Sequence, residues 1–77
     1  MKVEGLHFGN KLTDFRVWSS LLGECALYDK ILPAELCRRL RISCSDAINT
    51  ASGVQPPSHS MIVKLFNFAR RRGLLNS

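Results

Sequence analysis

The residues able to do chemistry in this chain are few and far apart. Three cysteines, Cys25, Cys37 and Cys44, and two histidines, His7 and His59, are its soft ligands and its strongest nucleophile and base. Structural zinc takes four ligands, usually from close pairs. Cys25, Cys37, Cys44 and His59 make such a set by type, but they stand twelve, seven and fifteen residues apart, and no Cys-x-x-Cys pair occurs. That spacing predicts no metal site. A Ser–His or Cys–His pair needs a local motif to hold nucleophile and base together, and none surrounds any serine or cysteine. The glycines are isolated, so no glycine-rich loop is set up to cradle a phosphate. The six acids are scattered singly. We therefore expect no catalytic residue, no metal and no cofactor.

An odd cysteine count without paired spacing argues against a secreted disulfide framework. Reduced thiols in a cytoplasmic protein are the expectation, with Cys25 and Cys37 acting as small hydrophobes on apolar faces. No apolar run approaches the roughly 18 residues of a membrane span. Met1-Lys2 is followed at once by Glu4 and Gly5, so no signal peptide is read there.

Charge is the strongest chemical signal. The net charge is +5, and it is unevenly placed. Residues 1–37 hold four cations against five acids, a net of −1. Residues 38–77 hold seven cations against the single acid Asp46, a net of +6. Arg38, Arg39 and Arg41 form one run and Arg70, Arg71 and Arg72 another, six of the eleven cations in one half. Each run taken alone reads as a solvated helix face; both together predict a basic patch. Such a patch invites an acidic partner: nucleic acid, an anionic membrane or an acidic protein surface. The matching acids are Asp14, Glu24 and Asp29.

One nucleic-acid reading has a motif behind it. Glu35-Leu36-Cys37-Arg38-Arg39-Leu40-Arg41-Ile42-Ser43 resembles the first helix and turn of a helix-turn-helix. Arg41 stands where that family usually has glycine. The helix that would enter the groove, Ser45 to Ser52, has no Arg or Lys, although Asn49 and Thr50 could reach bases. A reading helix without a cation suits a phosphate-dominated interface poorly, so DNA binding is the alternative here, not the first choice.

The elements that position these residues read as helices. The chain has 77 residues, 45% of them apolar and 22% charged, which is one ordinary globular domain. Residues 1–10 read as a leader strand or coil. A helix then starts near Asn10 or Thr13, with Phe15, Trp18, Leu22 and Cys25 on one stripe and Leu21 beside it. Pro33 suits a first helical position. Leu36, Cys37 and Leu40 face inward on the second helix. Ser43 and Asp46 have capping-box spacing, and Ala47, Ile48 and Ala51 make the apolar side of a third helix that Gly53 ends. A loop with Pro56 and Pro57 leads to Ser58, the cap of a last helix. There Ile62, Leu65, Phe66 and Ala69 form a stripe, with Met61 and Phe68 beside it. Gly73 closes that helix, and Leu74 folds back on Ala69. The expected core is Trp18, Leu22, Leu36, Leu40, Ile48, Leu65 and Phe66. No strand alternation and no repeat is visible.

From Glu35 to Leu75 the order is an apolar-basic helix, a short polar helix, a proline-bearing loop and a helix closing on Arg72-Gly73-Leu74. That pattern resembles the death-fold superfamily, in particular death effector domains and the bacterial effector-associated domains. Residues 12–27 are similar to the first helix of the bacterial group. The resemblance covers about three quarters of the chain and rests mostly on core periodicity. It implies an all-α, compact death-like bundle of five to six short antiparallel helices. It also implies a noncatalytic adaptor that binds like modules, on itself or on effector proteins, in signalling or bacterial immunity, with a homo-oligomer as one outcome. The chain ends at Ser77, where the family continues into a sixth helix. Two options stay open: no such helix, or a domain cut from a longer protein.

Overall fold

The computed structural model describes residues 12–75. Within them the chain forms four α-helices and no strand: α1 (Phe15–Tyr28), α2 (Pro33–Arg39), α3 (Cys44–Ala51) and α4 (His59–Arg71). The five to six helices implied by the resemblance are thus four among the described residues. Turns and irregular loops use the remaining described chain, and residues 72–75 continue as turn after α4. The expected leader at 1–10, with His7 and the Asn10 cap, lies outside the described residues.

Side chains fix three of the helix starts. Asp14 caps α1, its Oδ1 accepting the Arg16 amide at 2.8 Å, one residue past the expected Thr13. Aspartate is the stronger capping residue of the two. Ser43 accepts from the Asp46 amide at 3.4 Å to start α3, and Ser58 accepts from the Met61 amide at 3.2 Å to start α4. At α2 the first helical residue is Pro33, which has no N–H to satisfy.

The helix ends follow a single rule. In all four, the residue after the C-cap adopts a left-handed conformation and the next amide reaches back five residues. The left-handed residues are Lys30, Arg41, Gly53 and Gly73, with φ of 60°, 60°, 80° and 73°. The closing bonds run from the amides of Ile31, Ile42, Val54 and Leu74 to the carbonyls of Ala26, Cys37, Asn49 and Ala69, at 2.8–3.0 Å. Gly53 has a second constraint: a Cβ there would stand 3.1 Å from the Phe15 ring.

α1 packs against each of the other helices and supplies the largest share of the core. Trp18, Leu21, Leu22, Cys25 and Ala26 of α1 are buried with Leu36, Cys37, Met61, Leu65 and Ala69. The Trp18 indole N–H donates to the Met61 carbonyl at 3.2 Å, which ties α1 to the first turn of α4. Leu12 and Ile42 join this core from turns.

The expected core needs correction at three positions. Ile48 is 63% exposed, while Thr50 is the buried residue of α3. The two lie about 200° apart around the helix, so the face that buries Thr50 turns Ile48 outward. Phe66 and Leu40 are half-buried. On α4 the inward line is Met61, Leu65 and Ala69, at steps of four, which places Ile62 and Phe66 on its flank. The buried hydroxyls of Thr50 and Ser19 have no hydrogen-bond partner among the described residues.

Candidate functional site

Three surface features could carry a function, and only some of the C-terminal arginines meet at one of them. Arg38 and Arg39 point out from α2 and share Glu35, at 2.6 and 3.3 Å. Those two guanidiniums, Arg38 first, hold the Glu35 carboxyl below its usual range. Arg72 is held differently. Its Nε and Nη2 donate to the two carboxylate oxygens of Asp29 at 2.9 and 3.0 Å, and its guanidinium lies 3.8 Å from the centre of the Phe68 ring. The fork lowers the Asp29 pKa, chiefly through its hydrogen bonds. Arg70 is exposed and faces no acid among the described residues.

The remaining arginines gather. Arg39, Arg41 and Arg71, with Lys64, Asn67, Leu40 and Phe68, line a cleft of about 290 Å³ between the α2–α3 turn and α4. The left-handed conformation of Arg41 turns the chain there, and the Lys64 ammonium donates to the Arg41 carbonyl at 2.9 Å. Lys64, missing from the expected patch, was legible in principle: Lys64, Phe68 and Arg71 recur at helical steps of four and three on α4.

The expected acidic partners also separate. Asp14 and Glu24 line one shallow hollow of about 440 Å³ on α1, with Arg16, Val17, Ser20 and Leu21. Asp14 is paired there with Arg16 at 3.2 Å, and that hydrogen-bonded pair lowers the Asp14 pKa. Asp29 is absent from this hollow; it stands at the far end of α1 and pairs with Arg72.

The third feature is apolar. Leu22 and Cys37 form the buried part of a groove of about 280 Å³, and Pro33, Ala34, Ile48 and Ala51 are its exposed rim. Cys44 also lines it and is the exposed cysteine; Cys25 and Cys37 are buried, all three as free thiols. Burial pushes the Cys25 thiol up to about 11 and raises Cys37 too. Among the described residues no three His, Cys, Asp or Glu side chains gather as metal ligands. No described helix is long and apolar enough to cross a membrane.

Comparison of the chain with protein-family models, curated proteins and solved structures returns no match.

Proposed function

We propose that this chain is a noncatalytic, death-like adaptor module of the cytoplasm that docks head to tail onto like modules. The cationic cleft of one copy takes the α1 hollow of the next. The observation that carries this reading is the separation of charge: Arg39, Arg41, Lys64 and Arg71 around one cleft, and Asp14 and Glu24 against the single cation Arg16 around one hollow on another helix. A contact between two different patches is heterologous, so it propagates into a ring or an open filament. Arginine forks pair carboxylates in two places, and such contacts set encounter rate and partner choice.

Charge reversal tests it. Arg41→Glu with Arg71→Glu should abolish association measured by analytical ultracentrifugation, and a second chain carrying Asp14→Arg with Glu24→Arg should restore it. Absence of rescue refutes the docking geometry.

A second reading has one observation in its favour. Arg41 takes the left-handed conformation that glycine supplies in the turn of a helix-turn-helix. The exposed side of the following helix argues against DNA: α3 presents Cys44, Ser45, Asp46, Ile48 and Ala51, with one charge, and that charge is acidic. Binding of random duplex DNA with a steep salt dependence, together with failure of the rescue, would favour this second reading.

A further inference from the structure

The cleft between the α2–α3 turn and α4 carries more positive charge than the molecule neutralises. No carboxylate lines it. Arg41, Lys64 and Arg71 have no acidic partner among the described residues, and Arg39 meets Glu35 through Nε alone, at 3.3 Å, leaving its terminal nitrogens to other acceptors. The Lys64 ammonium is held in place by the Arg41 carbonyl, which takes one of its three protons and leaves two. Asn67 adds a neutral amide. Four cations around one cleft with no carboxylate favour a bound anion, which offsets their like charge.

Position and donor type narrow the anion. The four cations surround one open depression of about 290 Å³, so a compact anion reaches them all. Guanidinium forks match the oxygens of phosphate, and an ammonium serves as a point charge between them. Several cations from two elements call for more than one phosphate group.

We infer that this cleft binds a compact polyphosphate, an anion with at least two phosphate groups, through Arg39, Arg41, Lys64 and Arg71. The ligand is a free small molecule or the headgroup of a phosphorylated lipid; the recognising chemistry is the same. One consequence rests on the docking reading above: the bound anion competes with the acidic hollow of a neighbouring module. The binding itself does not depend on that reading.

Calorimetric titration of the full chain with inorganic tripolyphosphate tests the binding. Saturable one-to-one binding is expected, weakened about tenfold or more by Lys64→Gln and by Arg71→Gln. Lys64→Arg should retain it, which controls for loss of the bond to Arg41. Arg38→Gln and Arg70→Gln, outside the cleft, should leave it within about twofold. Phosphatidylcholine vesicles with and without phosphatidylinositol bisphosphate identify the source. Capture by the phosphorylated vesicles, lost in Arg71→Gln and reversed by tripolyphosphate, assigns a headgroup; soluble binding without capture assigns a free ligand. Non-saturable binding overturns the inference, as does equal loss from Arg70→Gln and Arg71→Gln. Tighter binding of duplex DNA that depends equally on every arginine also overturns it. The charge-reversal rescue is read without polyphosphate, so either result can fail while the other holds.

Discussion

Asp29 and Arg72, 43 residues apart, join the C-cap of α1 to the C-cap of α4 through a two-bond fork. The pair is more sheltered than the other ion pairs among the described residues, and the Arg72 plane rests on Phe68. It is the one arginine–carboxylate link between distant parts of the described chain.

The fork has a pH signature. Asp29 titrates below its ordinary value in the folded state. The stability it lends is therefore complete above about pH 4 and is lost as pH falls through the lowered value. Thermal melts of the parent and Asp29→Asn between about pH 7 and pH 2 should differ most near neutrality and converge in acid. Arg72→Lys keeps the charge but loses the fork and the stacked plane, so it should melt below the parent at neutral pH. Parallel curves across the whole range would refute the pair's role.

Lys30 and Arg41 occupy left-handed positions that cost an L-residue with a side chain about 1–2 kcal/mol. Glycine pays for the relief with extra freedom in the unfolded chain. Lys30→Gly and Arg41→Gly should each raise stability by about 0.5–1 kcal/mol in urea unfolding. A loss in both variants would mean that their side chains outweigh the backbone term.

Trp18 is fully buried and bonded to the Met61 carbonyl. Trp18→Ala should cost about 3–5 kcal/mol, close to the whole stability of a domain this small. Denaturant unfolding followed by circular dichroism should find it largely unfolded in water. Ile48→Ala, at an exposed position, should shift the same curve by less than about 0.5 kcal/mol.

The thiols should divide by burial. At neutral pH a disulfide reagent should label Cys44 quickly, while Cys25 and Cys37 react only as the chain opens. Mass spectrometry of the early product should locate the label at Cys44. Label at Cys25, whose thiol titrates near 11, would contradict its burial.

Much of this architecture is legible from residue types. Pro33, Ser43, Ser58, Gly53 and Gly73 each mark a helix boundary by a specific backbone need, and the structure places a boundary at each. The ends at Lys30 and Arg41 are illegible for the same reason: a long cation in a left-handed turn has no compositional mark. Ile48 misleads because an eight-residue helix has too few turns for periodicity to fix its inward face. Leu12 and Ile42 lie in turns, where helical spacing says nothing about burial. The charged site is half legible. Sequence identifies the arginines, but only the fold shows that Arg72 and Asp29 satisfy each other, and that Lys64 replaces Arg72 at the cleft.

The helix ends share one hydrogen-bond pattern but differ in what covers it. Ile31, Ile42 and Leu74 join the core after α1, α2 and α4. Val54, in the same place after α3, is 73% exposed. An amide proton exchanges with deuterium only while its bond is open, and openings cost least where little apolar surface is uncovered. The Val54 amide should therefore exchange first among these four. Since Thr50 is the only fully buried residue of α3, the whole helix can fray from that end. The module then has a slow part, α1 with α4, and a fast part that exposes Leu22 and Cys37 on opening.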